Sequence, residues 1–350
     1  MTFVKPAVHH KRLEKNALGL TVRDYEGALS TLCAGCGHDS VTAAIIQAFW
    51  HLSIAPHRVV KLSGIGCSSK TPTYFLREAH GFNSVHGRMP SVATGANAAN
   101  RELLYVGISG DGDSLSIGLG QFCHAIRRNV NLTYILENNG VYGLTKGQFS
   151  ASADVGSKAK RGEENRQQPI DPVMLALTLG ATFVARSFSG DKAQLVPILE
   201  AAFKHQGFAL VDVISPCVTF NDHVGSTKSY MYTREHYREL VEADLVPLRK
   251  PIEADGARAA TTQVRMHDGS LVTLRGTEPG YDPTDRDRVY MRLREIAKAG
   301  EIATGLLYVE EGGADMHEMS ATTETPLVEV PFEELCPGAA ALDKLMSQFR

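Results

Sequence analysis

The chain has 350 residues, 43% of them hydrophobic, six cysteines and a formal net charge of −3, with acids and bases mixed along its length. That is ample for a large core, while the lack of a long basic run speaks against nucleic acid or a membrane surface as partner. No stretch reaches the roughly 20 apolar residues of a spanning helix, and six cysteines are too few for a disulfide scaffold.

The polar opening MTFVKPAVHHKRLEKNALGL lacks the apolar run of a secretory signal, so a cytoplasmic protein is expected. From Asp39, DSVTAAIIQAFWHL has helical spacing behind a capping pair. RVVKLSG (58–64) is a short β-branched run closed by glycine, and SVATGANAAN (91–100) reads as a helix of small residues. LLYVGISG (103–110) and LTYILEN (132–138) read as buried strands flanking a helix in SIGLGQFCHAIRRN (116–129). The segment 150–170 is too polar for a core and reads as a long loop of the kind that often carries function. DPVMLALTLG, ATFVARS, DKAQLVPILEAAFKHQG and FALVDVIS then alternate helix and strand. Such alternation, with near-continuous apolar strands, predicts an α/β fold: a doubly wound, mostly parallel sheet covered on both faces. Beyond residue 250 the character changes to a polar connection, a hairpin pattern around Asp268–Gly269 and a capped amphipathic helix ending at Gly300. The expected division is a main domain, 1–250, and a C-terminal appendage, 251–350.

Chemistry concentrates where strands end. In SGDGDSLSIGLG a buried strand stops at Ser109–Gly110, which puts Asp111 at the C-terminal edge of the sheet, where doubly wound folds bind ligands. Gly110 and Gly112 let backbone amides approach a phosphate, and the following helix turns its N-terminus to the anion. Asn139 closes the next strand 28 positions on. Mg²⁺ takes oxygen ligands and shares them with phosphates. Asp111, the Asn139 amide oxygen and the Val141 carbonyl would leave room for two diphosphate oxygens and a water. An acidic turn is the plainer reading of Gly-Asp-Gly-Asp, but the strand before it, the helix after it and Asn138-Asn139-Gly140 beyond favour a magnesium diphosphate. In LCAGCGHDSV, the spacing of Cys33 and Cys36 leaves open a cluster, a zinc site and a redox dithiol, although a zinc ribbon would ask for a second C-x₂-C and there is none. Cys123 lies in a helical pattern and reads as a packing residue; Cys336, before a proline, reads as an ordinary thiol.

Gly-Asp-Gly followed at this interval by Asn-Asn resembles the thiamine diphosphate motif. NNGVYGLTKGQ together with CAGCGH resembles the β subunits of 2-oxoacid:ferredoxin oxidoreductases, and GIGCSS, HGRMPSVATGANAAN and SPCVTFNDHVGSTKSY fit the same family, over roughly residues 15–310. FNDHVGSTKSY and the long C-terminal segment are most similar to the 2-oxoglutarate branch. The resemblance implies a thiamine diphosphate-binding fold with Mg²⁺ and a [4Fe–4S] cluster. It implies oxidative decarboxylation of 2-oxoglutarate, with coenzyme A as co-substrate, to succinyl-CoA and CO₂, with electrons leaving to ferredoxin. It implies cluster thiolates from Cys33, Cys36, Cys67 and Cys217, and a cofactor surrounded by Gly110, Asp111, Gly112, Asp113, Asn139, Val141, Gly143 and Leu144, with His38, Gly66 and Cys67. His86 and Arg88 in VHGRMP are candidates for the substrate or the thiamine ring, with a solvated loop as the alternative. His86 is also the one catalytic candidate, and Lys70, Lys146 and Lys228 are candidates for a second carboxylate.

The glutamate that activates thiamine in this superfamily belongs to a pyrimidine-binding domain without a counterpart here. An α subunit is therefore expected to supply it, in a heterodimer or a dimer of heterodimers. Three readings stand beside this one: a β subunit specific for pyruvate or branched-chain 2-oxoacids, a non-oxidative thiamine enzyme whose cysteines hold zinc, and a non-catalytic iron–sulfur electron-transfer subunit.

Overall fold

A computed structural model describes residues 12–158, 162–246, 261–266 and 270–349. The Asp268–Gly269 turn and most of the polar connection after residue 250 lie outside the described residues. The strands, in chain order, are β1 (Val59–Ser63), β2 (His80–Asn83), β3 (Leu104–Gly110), β4 (Leu132–Asn138), β5 (Val141–Tyr142), β6 (Gln148–Phe149), β7 (Phe183–Phe188), β8 (Phe208–Ile214), β9 (Tyr237–Val246), β10 (Thr261–Arg265), β11 (Leu271–Gly276) and β12 (Ile302–Val309). The principal helices are α1 (Gly37–His51), α2 (Met89–Ala99), α3 (Leu119–Arg127), α4 (Pro172–Thr178), α5 (Lys192–Lys204), α6 (Tyr230–His236) and α7 (Arg286–Lys298). Ten strands form one sheet in the order β10-β11-β9-β12-β7-β8-β4-β3-β1-β2, and β5 pairs with β6 apart from it.

From β2 through β1, β3, β4 and β8 to β7 every pairing is parallel. All residues of β1, β4 and β8 are buried. Successive strand residues point to opposite faces, so both faces of this region are covered. Helix α1 lies against α5, with Phe49 and Phe203 stacked at 4.3 Å, and α3 brings Phe122 edge-on to Tyr134 of β4 at 5.1 Å. This is the doubly wound, mostly parallel sheet expected from the sequence. No helix among the described residues is long and apolar enough to cross a membrane.

Three strands depart from expectation. β2 is exposed at all positions, an edge strand without an apolar pattern to announce it. β9 mixes charged and apolar residues. β12 carries a legible apolar run, but it inserts between β9, to which it is parallel, and β7, to which it is antiparallel. The hairpin and helix expected beyond residue 250 are present as β10–β11 and α7, yet β10, β11 and β12 continue the sheet that β9 belongs to. The C-terminal segment is thus built into the sheet up to Val309. The helix expected from Ser116 also starts earlier: a turn of π type covers Asp113–Ile117 before α3 begins. Such turns recur at functional sites.

One cation interrupts the apolar pattern of β1. Lys61, 7% exposed, donates from Nζ to the carbonyls of Pro72 (2.8 Å), Phe75 (2.7 Å) and Leu76 (2.8 Å). Burial draws its pKa down to about 8, which leaves it charged at neutral pH. It thereby ties β1 to the segment that follows Cys67. Lys61→Met is expected to cost about 2–4 kcal/mol, because three buried carbonyls lose their donor. The measurement is the midpoint of chemical denaturation, and an unchanged midpoint would show that this tie carries no stability.

Candidate functional site

Strands β1, β3, β4 and β8 are neighbours and parallel, so their C-terminal ends stand side by side. Each end opens into a loop of chemical interest: Gly64–Cys67 after β1, Asp111 after β3, Asn139 after β4 and Pro216–Cys217 after β8. Register pairs Gly110 with Glu137 and Asn138 with Ile214, which sets these loops level with one another. A narrow cleft lies among them. His38, Gly66, Cys67, Gly110, Asp111, Gly112, Asp113, Asn139, Val141 and Gly143 line it, together with Ile65, Ser68 and Tyr142. Leu144 stays outside, 51% exposed.

Asp111 is 1% exposed and accepts the backbone N–H of Gly140 at 3.0 Å and the hydroxyls of Ser150 and Ser152. Asp113 does a different job. Its carboxylate accepts the Gly87 N–H at 2.8 Å and the Ser109 hydroxyl at 2.9 Å, and so holds the His86–Arg88 loop to the rim of the cleft. The Asn139 carbonyl accepts Asn221 Nδ2 at 2.8 Å, and its Oδ1 accepts the Val141 N–H at 3.0 Å, which shapes the turn into β5. Ser68, 2% exposed, has a hydroxyl without a hydrogen-bond partner, 3.1 Å from where a Cβ on Gly110 would lie. An orphan hydroxyl facing the phosphate-type glycine turn fits an anionic ligand there.

His38 borders both halves of the site. Burial keeps it neutral, with its pKa drawn down to about 4. Its Nδ1 is bonded to the Ser215 hydroxyl at 2.6 Å, and its Nε2 faces Asn139 Nδ2 at 3.5 Å. Behind it the Glu137 carboxyl is fully buried, which raises its pKa well above the usual carboxylate range; its one strong donor is the Thr71 hydroxyl, 3.1 Å from both oxygens.

The cysteine loops converge next to this cleft. Cys36 caps α1, and Gly37 donates to the Pro216 carbonyl at 3.2 Å, which seats the Cys33–Cys36 turn against the Cys217 turn. Only glycine allows this approach, since a Cβ on Gly37 would fall 2.5 Å from the Ser215 hydroxyl. A Cβ on Gly143 would stand 3.3 Å from the Cys67 sulfur and 3.7 Å from the Cys217 sulfur, so those two thiols face the same small space. The Thr219 hydroxyl reaches the Cys33 sulfur at 3.5 Å. Burial pushes the Cys36 thiol up to about 12 and raises Cys67 and Cys217 as well, so a metal would have to displace their protons. Among the described residues no three His, Cys, Asp or Glu side chains form a ready site for a metal ion. Cys123 is half-buried in α3, and Cys336 is exposed.

The substrate candidates do not gather. His86 and Arg88 are exposed on the rim loop, Lys146 is exposed on a turn, and Lys70 is half-buried next to Cys67, whose thiol it acts on electrostatically. Lys228 is engaged with Asp154 at 3.6 Å. The described residues of segment 150–170 form a loop, as expected, but the reading that it is too polar for a core is corrected: Ser150, Ser152, Ala153 and Asn165 are buried. Their polar groups are satisfied within the protein, as in the three carbonyls that Asn165 Nδ2 binds at 2.9–3.1 Å. Ile65, Ser68, Tyr142, Ser150 and Ser152 are site residues that sequence reasoning missed. Ser68 follows Cys67 and Tyr142 sits in the quoted motif, so neighbourhood was the available signal for those two.

Residues 64–213 match the family model for the thiamine pyrophosphate enzyme, C-terminal TPP binding domain, which takes in the strand ends after β1, β3 and β4. The chain is 42% identical over 230 residues to the 2-oxoacid:ferredoxin oxidoreductase subunit beta of Saccharolobus solfataricus, a span of 64% of this chain and 73% of that one. It is 44% identical over 191 residues to the 2-oxoglutarate oxidoreductase subunit KorB of Mycobacterium tuberculosis, covering 54% of this chain and 51% of that one. Among solved structures, a chain of the 2-oxoglutarate:ferredoxin oxidoreductase from Magnetococcus marinus, with 2-oxoglutarate, coenzyme A and succinyl-CoA bound, superposes with a TM-score of 0.72 at 27% identity, over 97% of this chain and 98% of that one. With a relative this similar over nearly three quarters of its length, the chain belongs to the beta subunits of the 2-oxoacid:ferredoxin oxidoreductases.

Proposed function

We propose that the chain is the thiamine- and cluster-bearing subunit of a 2-oxoglutarate:ferredoxin oxidoreductase. The reaction joins 2-oxoglutarate and coenzyme A into succinyl-CoA, with release of CO₂, a proton and two electrons, the electrons going one each to two ferredoxins. The reading is carried by one observation: four adjacent parallel strands end together, with the Asp111–Asn139 pair at the two inner ends and cysteine loops at the two outer ones. The 2-oxoglutarate preference is supported by KorB relatives and by a structural neighbour of matching length that holds that substrate.

When bound, thiamine diphosphate supplies the carbanion that attacks a 2-oxo carbon, and the cluster supplies a one-electron acceptor beside it. Asp111, the Asn139 amide oxygen and the Val141 carbonyl would hold Mg²⁺, and the Ser68 hydroxyl suits a phosphate oxygen. Cys33, Cys36, Cys67 and Cys217 would hold the cluster. His38, neutral and fixed by Ser215, would stand between the two groups, since it lines the cleft and adjoins the Cys36 turn. Of the two half-buried candidates, Lys228 is engaged by Asp154 and Lys70 adjoins Cys67, so Lys70 is the cation of this chain we assign to a substrate carboxylate. An α subunit would complete the site with the activating glutamate, since Glu137 is sealed behind His38 and does not line the cleft.

The test is turnover with a viologen acceptor, by the chain alone and with its α subunit. The chain alone is expected to be inactive. The complex is expected to favour 2-oxoglutarate over pyruvate and a branched 2-oxoacid in kcat/KM, by about 10- to 150-fold, the worth of one charge-assisted bond to the distal carboxylate. Activity of the single chain would overturn the shared site, and a higher value for pyruvate would overturn the substrate.

A further inference from the structure

The two oxygens of Asp111 are treated unequally by the protein. Oδ2 accepts the Gly140 N–H at 3.0 Å, the Ser152 hydroxyl at 2.6 Å and the Ser150 hydroxyl. Oδ1 meets only the Asn139 N–H, at 3.4 Å, the outer edge of hydrogen-bond range. A carboxylate oxygen offers about two lone-pair directions. The chain therefore fills Oδ2 and leaves Oδ1 with an open lone pair.

The asymmetry is anchored at depth. Ser152 Oγ lies 2.9 Å from Asn138 Oδ1, and Asn138 Nδ2 donates to Asp212 Oδ1 at 3.0 Å. Asp212 Oδ2 in turn accepts Arg186 Nε at 2.7 Å, and Arg186 also pairs with Asp171 at 2.6 Å. Ser150, Ser152, Asn138 and Asp212 are all buried. These groups lie in a row from the Arg186–Asp212 ion pair of β7 and β8 to the carboxylate at the end of β3, with the one Ser152 proton shared between Asp111 Oδ2 and Asn138 Oδ1.

We propose that Ser150 and Ser152 are positioning residues for the metal: by holding Oδ2 of Asp111 they turn Oδ1 toward Mg²⁺ in the cleft. The inference rests on the functional reading above and deepens it, since it assigns the ligating oxygen and gives the start of the 150–170 segment a task. Outer residues that orient a metal ligand typically change metal affinity by about 10- to 100-fold.

The experiment uses the complete complex, stripped of cofactor, and measures thiamine diphosphate retained as Mg²⁺ is titrated. Ser150→Ala and Ser152→Ala are each expected to raise the Mg²⁺ needed for half-saturation about tenfold, and the double variant more, up to about 100-fold. High Mg²⁺ should restore full stoichiometry, and the cofactor-free complexes should melt with the wild type. Wild-type Mg²⁺ dependence in the double variant would overturn the proposal. So would a stoichiometry that high Mg²⁺ does not restore, combined with a lower melting temperature of the cofactor-free complex, because that pattern marks packing. A wild-type complex that shows no Mg²⁺-dependent thiamine diphosphate binding would instead overturn the functional reading on which the proposal stands.

Discussion

Asp111→Ala is expected to abolish retention of thiamine diphosphate while the cluster iron stays. Asp111 is the one charged member of the proposed Mg²⁺ set, and without it the diphosphate would face the glycine turn with no counter-ion held in place. The loss should exceed the about 10- to 100-fold expected from a residue that only orients a ligand. The alanine also strands the Ser150 and Ser152 hydroxyls and the Gly140 N–H, so Asp111→Asn is the companion variant: it keeps the shape and removes the charge. Thiamine and iron per complex, measured after gel filtration, check both. Stoichiometric thiamine in either variant would remove Asp111 from the ligand set.

Cys217→Ala is expected to lose the cluster, whereas Cys123→Ala and Cys336→Ala should keep it. The Cys217 sulfur shares with the Cys67 sulfur the space beside Gly143, and its turn is the one on which the Cys33–Cys36 loop rests. Cys123 is carried by α3, away from these loops, and Cys336 lies exposed beyond the sheet. Iron and sulfide in anaerobically prepared complexes decide the matter, and equal iron in all three variants would reject the four-cysteine set. The expected loss is close to complete, because a removed thiolate leaves one iron without a protein ligand.

Much of the architecture was legible because the strands that hold the site are buried on both faces. LTYILEN and FALVDVI read as near-continuous apolar runs, and they are β4 and β8. The place of Asp111 and Asn139 at neighbouring strand ends was legible from the apolar runs before them, since a parallel sheet puts successive strand ends on one edge. Asp113 matched the same motif, yet it holds Gly87 with both oxygens committed to the protein; a motif position says which loop a carboxylate is on, not which way it faces. Ser150 and Ser152 were out of reach. A serine in a polar stretch has no periodicity, and only its acceptor, 39 or 41 positions earlier, tells it from a solvated one. Lys61 hid for the opposite reason, as a single cation inside a run whose neighbours all said strand.

The place of β12 in the sheet bears on how the chain comes off the ribosome. The strands that carry the site are complete once Ile214 has been made, but the strand that covers the free edge of β7 is not finished until Val309. At translation rates of about 5–20 residues per second, that interval of 95 residues lasts about 5–20 s. Throughout it β7 presents unpaired backbone groups in an apolar setting, and β9 to β11 have no strand joining them to the rest. An open edge of this kind is a template for pairing with a neighbouring chain. The nascent chain is therefore most exposed to misassembly after its chemistry-bearing loops already exist, and the C-terminal segment serves as the closing piece that ends that exposure.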